Sequence, residues 1–89
     1  MRTPVYTNCF EKELKQMIKR GKDPEKAKII VRKLIFEDVL EPRYRDHKLS
    51  GSLAGRRECH IEPDWLLIYK LEDREIVFER TGTHSDLFE

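Results

Sequence analysis

Phe10, Leu14, Met17 and Ile18 recur at i, i+4, i+7 and i+8, which is one apolar stripe of an amphipathic helix. A second stripe follows at Ala27, Ile30, Val31, Leu34 and Ile35, with Lys26, Lys28, Arg32 and Lys33 mostly outside it. Asn8 stands ahead of the first stripe as a capping residue, and Gly21 ends it as a residue able to take positive φ. Asp23-Pro24 then opens a second helix, expected from Pro24 to about Phe36, with a capping side chain and a proline at the first helical position.

Beyond Gly55 the period falls to two. Arg56, Glu58, His60 and Glu62 alternate with Cys59 and Ile61, so one face of the strand carries chemistry and the other core, until Pro63 ends it and Asp64 takes the turn. Trp65 to Leu71 is apolar on both faces, as a strand buried between two layers would be. After the Glu72-Asp73-Arg74 turn, Glu75 to Arg80 places Ile76 and Phe78 on one face and Glu75, Val77 and Glu79 on the other. Strict alternation puts Arg80 with Ile76 and Phe78; a bulge near Glu79 would reverse it. At the other end, Thr3 to Thr7 reads as a short strand near an edge. Thr81 to His84 leaves the sheet, and the tail holds Leu87 and Phe88, too apolar for a frayed end. The expected fold is α+β, one domain over residues 1–89 in the order β-α-α-β-β-β, with an antiparallel sheet and an N-terminal helix pair packed on one face.

The stretch from Glu41 to Gly55 has no period and many loop formers, yet it carries Arg43, Arg45, His47 and Lys48, and long loops in small domains are often functional. The formal net charge of +1 hides an asymmetry: residues 11–33 carry nine Lys/Arg against four acids, and 58–89 carry nine acids against three bases. Lys12, Lys15 and Lys19 on the first helix, with Arg43, Arg45, Lys48 and Arg56, suit a polyanion held by its phosphates; the plainer reading is a solvated face laced with ion pairs. No apolar run is long enough to span a membrane and the start lacks a signal-peptide core, so the cytoplasm is the expected compartment. Cys9 and Cys59 are expected to be free thiols there.

The histidines lack metal-ligand spacing, and His60-x-Glu62-Pro63 is without the Pro-Cys-x-x-Cys that a zinc deaminase needs, so neither a metal nor another cofactor is expected. Cys59 turns toward the core, which argues against a nucleophilic thiol. General acid–base chemistry fits better. His60 and Glu58 share a strand face, Asp64 is on the adjoining turn, and His47 and His84 lie on segments able to close over them. With Arg56 or Arg80 to hold a phosphate, the parts for cleaving RNA are present. Spacing does not decide it, because a lone strand histidine is more often structural.

Three segments together carry a resemblance: His47-Lys-Leu-Ser-Gly-Ser, Arg57-Glu-Cys-His-Ile-Glu-Pro-Asp-Trp-Leu-Leu-Ile-Tyr-Lys-Leu71 and Phe78-Glu-Arg-Thr-Gly-Thr-His-Ser-Asp-Leu-Phe88. In that order they resemble the YafQ branch of the RelE/ParE toxin superfamily; the N-terminal half matches by its strand–helix–helix layout. The resemblance implies a RelE-like fold and a bacterial type II toxin that enters the ribosomal (30S) A site and cuts mRNA there without a metal, and that a cognate antitoxin masks. It implies a site of His47, His60, Asp64, His84 and Phe88: the histidines as the acid–base and phosphate-contacting group, Asp64 orienting or assisting them, and Phe88 placing the substrate. Arg80 would be the transition-state cation. Glu58 stands where the YafQ pattern usually has aspartate, a longer reach for the same charge. Two other readings belong to different classes: a non-catalytic ParE-like toxin acting by binding gyrase, whose relatives lack the histidine set, and an inactive antitoxin-binding or autoregulatory partner.

Overall fold

The strand that is apolar on both faces lies at the centre of the sheet. In the computed structural model, which describes residues 1–88, β4 (Trp65–Leu71) is flanked by β3 (Arg57–Glu62) and β5 (Glu75–Gly82). β1 (Thr3–Tyr6) and the two-residue β2 (His47–Lys48) form the edges, giving the order β1-β5-β4-β3-β2. Trp65, Leu67 and Tyr69 point to one side, into a core with Cys59, Phe78 and the inward residues of α1 (Asn8–Lys19) and α2 (Pro24–Ile35). Leu66 and Ile68 point to the other, against Leu87 of α3 (His84–Phe88), with Leu49 and Leu53 packed beside them. Each such side chain contributes about 1.5–3 kcal/mol by leaving water, so the double-sided burial of β4 anchors both layers.

The helix pair covers one face as expected, but the sheet is mixed, because β1 runs parallel to β5 while the other pairs are antiparallel. The cap of α1 is Thr7, one residue before the expected Asn8: its hydroxyl accepts from the Phe10 N–H at 2.9 Å and donates to the Glu79 carbonyl at 2.8 Å. That second bond ties the helix start to β5, which Asn8 is not placed to do. Asp23 caps α2 as expected, accepting from the Glu25 N–H at 3.0 Å. β5 continues past Arg80 to Gly82, with Thr81 and Gly82 opposite Leu67 and Leu66.

Two bulges decide which side chains share the face away from the helices. In β3, His60 pairs with Leu66 and Glu62 with Trp65, so Ile61 is the extra residue and the alternation breaks. Glu62 therefore leaves the polar face on which the two-residue period placed it, and meets Lys22 and Lys26 of the helix layer at 2.7 and 2.8 Å. In β5 the extra residue is Glu79: Phe78 opposes Tyr69 while Arg80 opposes Ile68. Arg80 thus sits in the cross-strand row Glu58–Ile68–Arg80, opposite to where strict alternation put it. Among the described residues no helix is long and apolar enough to cross a membrane.

Candidate active site

Glu58 lies on β3 facing away from the helices, and β2 brings His47 directly opposite it. His60 is two residues further along β3, on the same face. The Glu58 carboxylate, on a residue only 5% exposed, therefore stands between two imidazoles: its Oε1 is 3.3 Å from His60 Nε2 and 3.7 Å from His47 Nε2. The His47 and His60 rings are 6.5 Å apart between centroids, and the His84 ring is 5.7 Å from that of His60.

All three histidines are held by the same ring nitrogen. Nδ1 of His47 is 2.6 Å from the Arg45 carbonyl, Nδ1 of His60 is 3.2 Å from the Pro63 carbonyl, and Nδ1 of His84 is 2.7 Å from Asp64 Oδ1. A carbonyl or carboxylate oxygen accepts only, so each Nδ1 carries a proton, and Nε2 is the ring nitrogen left to gain or lose one, with Glu58 beside that nitrogen in His47 and His60. Asp64 also accepts from the His84 backbone N–H at 2.9 Å; these two bonds hold its carboxyl below the usual aspartate range, so it stays an acceptor. Two imidazoles beside one buried carboxylate, with a third alongside, can remove a proton at one point and deliver one at another while the carboxylate steadies whichever ring is positive.

The third imidazole depends on how the chain leaves β5. At Gly82 a Cβ would meet Asp86 Cβ and Oδ2 at 3.0 Å, so α3 folds back only because no side chain is there. Thr83 and Asp86 then cap the short helix reciprocally: Thr83 N–H donates to Asp86 Oδ2 at 3.0 Å and Asp86 N–H to Thr83 Oγ1 at 3.2 Å. Arg20, at the end of α1, clamps Asp86 through two contacts of 2.7 and 3.2 Å, and this pairing is the main reason its carboxyl is strongly depressed. The result places Phe88, which is 45% exposed, with its ring 6.3 Å from that of His84.

Sequence reading missed the group that steadies His47. Tyr69 is buried in β4, and its hydroxyl donates to Asp46, which also pairs with Arg57 at 3.3 Å. Burial, and then the Asp46 carboxylate, push the Tyr69 hydroxyl well above its ordinary range, so it remains a donor. Asp46 lies between Arg45, whose φ of 48° is left-handed, and His47, while β2 has only two residues to hold the loop. With His47 in the acid–base group that the resemblance implies, Asp46→Ala is expected to slow RNA cleavage by about 10- to 100-fold through misplacement of that ring, with Asp46→Asn retaining more of the rate. Single-turnover cleavage assays on both variants check this, and full activity of Asp46→Ala would contradict it. The available signal was chemical: a tyrosine in a strand apolar on both faces has to find a partner for its hydroxyl.

Six of the expected site residues, His47, Glu58, His60, Asp64, His84 and Phe88, thus form one continuous cluster. Arg80 lies on the same sheet face, but its guanidinium is engaged by Glu13 of α1 at 2.7 and 3.3 Å. Arg56 likewise pairs with Glu79. Lys12, Lys15 and Lys19 are exposed along α1 in the helix layer, and Arg43, Arg45 and Lys48 are exposed on the loop that carries His47. Cys59 is fully buried, and burial raises its thiol far above the ordinary range. Among the described residues no group of three or more His, Cys, Asp or Glu is arranged to hold a metal ion.

Residues 2–89 match the family described as the bacterial toxin of type II toxin–antitoxin system, YafQ. The chain belongs to the YafQ toxin family. It is 48% identical over 84 residues to the mRNA interferase toxin YafQ of Escherichia coli K12, covering 93% of this chain and 91% of that protein. The crystal structure of YafQ from E. coli BL21(DE3) superposes with a TM-score of 0.94 at 44% identity, over all of both chains. YafQ in the E. coli DinJ–YafQ complex superposes at 0.93 with 46% identity, again over all of both chains. The α+β architecture of this YafQ-family chain is thus the RelE-like one that its C-terminal segments implied.

Proposed function

We propose that this toxin cuts mRNA in the ribosomal A site, in the cytoplasm, by attack of a 2′-hydroxyl on the adjoining phosphate. As a YafQ toxin it is an mRNA interferase, an endoribonuclease neutralised by a cognate antitoxin. The observation that carries the chemistry is the triad of imidazoles, each anchored through Nδ1, with His47 and His60 Nε2 on the shared Glu58 carboxylate. One histidine takes the 2′-hydroxyl proton as the 2′ oxygen bonds to phosphorus. Another protonates the departing 5′ oxygen, leaving a 2′,3′-cyclic phosphate and a 5′-hydroxyl. The protein's own groups carry both proton transfers.

Glu58 steadies the imidazolium that forms, and Asp64 keeps His84 in its Nδ1-protonated form. Phe88 offers a face for a base beside the scissile bond. Arg80, once drawn from Glu13, supplies positive charge to the phosphorane. Lys12, Lys15, Lys19, Lys48 and Arg56 grip ribosomal RNA through phosphates, with Arg43 and Arg45 also on the RNA-binding side. Mapping mRNA ends after brief expression tests the reading: breaks within translated codons are expected, whereas arrested growth with wholly intact transcripts contradicts it.

A further inference from the structure

Beside the histidine cluster a groove of about 770 Å³ opens between α2 and the loop before β2. Lys26, Ile29, Arg43, Tyr44, Arg45 and His60 line it. Tyr44 packs partly against the core, and the Arg43 guanidinium lies 4.7 Å from its ring centroid, donating from Nη2 to the Tyr44 hydroxyl at 2.6 Å. The Arg43 side chain remains 70% exposed. The guanidinium over the Tyr44 ring therefore offers an exposed cationic face that a nucleobase can cover.

The charges around it favour a phosphate. Glu62 is the one acid in the lining among the described residues, and it is shared by Lys22 and Lys26 at 2.7 and 2.8 Å, two cations to one carboxylate. Arg43 has Glu41 at 3.5 Å, and Arg45 has no carboxylate within 4.0 Å among the described residues. A cationic face over an aromatic ring, next to spare positive charge, is the arrangement that holds single-stranded nucleic acid, by base stacking and phosphate contact together.

We propose that this groove is a subsite for one nucleotide of the mRNA beside the scissile bond, its base stacked on Arg43 over Tyr44 and its phosphate held by Lys26 and Arg45. The assignment rests on the acid–base reading of His60, which lines the groove and belongs to the histidine cluster. It makes the groove a determinant of which sequences are cut, separate from the residues that do the cutting.

The test uses programmed ribosomes and synthetic mRNAs carrying one abasic nucleotide at each position flanking the cut in turn. For the wild type, one of these abasic mRNAs is expected to raise KM at least about fivefold, the lower end of what a base–aromatic stack supplies. Arg43→Ala is expected to raise KM on intact mRNA by a similar factor with kcat unchanged, and to show no added loss on that abasic mRNA. An unchanged KM for Arg43→Ala on intact mRNA overturns the subsite. So does an equal loss on intact and every abasic mRNA, which assigns Arg43 to ribosomal RNA instead. If the wild type cuts none of the mRNAs, the acid–base reading itself fails, an outcome distinct from either of these.

Discussion

Replacing His60 with alanine is expected to slow mRNA cleavage by about 10²–10⁴-fold, the range that a positioned acid–base group supplies. His60 stands between the other two imidazoles, 6.5 Å from the His47 ring and 5.7 Å from the His84 ring. It is also the nearer of the two imidazoles at Glu58, so its loss leaves that buried carboxylate, among the described residues, with His47 at 3.7 Å. Nδ1 of each remaining histidine is bonded elsewhere, to the Arg45 carbonyl and to Asp64, which opposes either ring taking the place of His60. Rates on programmed ribosomes measure the effect, with thermal unfolding run beside them to show that the variant is folded. A loss of less than about tenfold would take His60 out of the proton transfers.

The largest expected effect on stability belongs to Trp65. Its side chain is fully buried at the start of β4, and its indole N–H donates to Thr81 Oγ1 at 3.0 Å, while the Thr81 hydroxyl donates to the Leu66 carbonyl at 2.7 Å. Trp65→Ala is expected to cost about 3–5 kcal/mol, since the helices and the sheet collapse only partly into the cavity. A domain of this length has about 5–15 kcal/mol in hand, so the variant stands close to unfolding. At about 4–8 °C per kcal/mol, its melting temperature should fall by roughly 12–40 °C. Trp65→Phe keeps most of the volume and loses one hydrogen bond, for about 1–3 kcal/mol. Calorimetry of the two variants checks the order, and an alanine variant as stable as the phenylalanine one would contradict this packing.

Elements with a strong period were legible in the chain. The apolar stripes of α1 and α2 and the two-sided β4 formed largely as read, because burial of those side chains dominates their local energetics; Ile18, at the end of the first stripe, stays 40% exposed. What periodicity missed lay where one residue interrupts it. The bulge at Ile61 turned Glu62 toward Lys22 and Lys26, and the bulge at Glu79 turned Arg80 onto the face of Glu58. An inserted residue leaves no mark in a strand of six or eight, and only pairing reveals it.

The site divides in the same way. His60 and Glu58 could be read from strand parity, whereas the place of His84 depends on Gly82, the Thr83–Asp86 cap and Arg20, contacts that no spacing rule connects. Arg80 pairs with Glu13 across 67 positions of the chain, and Tyr69 reaches Asp46 across 23. These side chains meet only because the sheet and helix layer bring them together. The anchors of the histidines were hidden for a further reason: two of the three are backbone carbonyls, of Arg45 and Pro63, which every residue possesses.

The proposed cleavage turns on a proton leaving a 2′-hydroxyl, and one substitution in the RNA isolates that step. The measurement is the rate at which wild-type toxin cuts ribosome-bound mRNA carrying a single 2′-deoxynucleotide immediately 5′ of the scissile phosphate. The nucleophile is then missing while the base, the phosphate and the ribosome are unaltered. Cleavage at that bond is expected to disappear while the all-ribose mRNA is cut to a 2′,3′-cyclic phosphate and a 5′-hydroxyl. Cutting of the deoxy-substituted mRNA at an undiminished rate would contradict the mechanism.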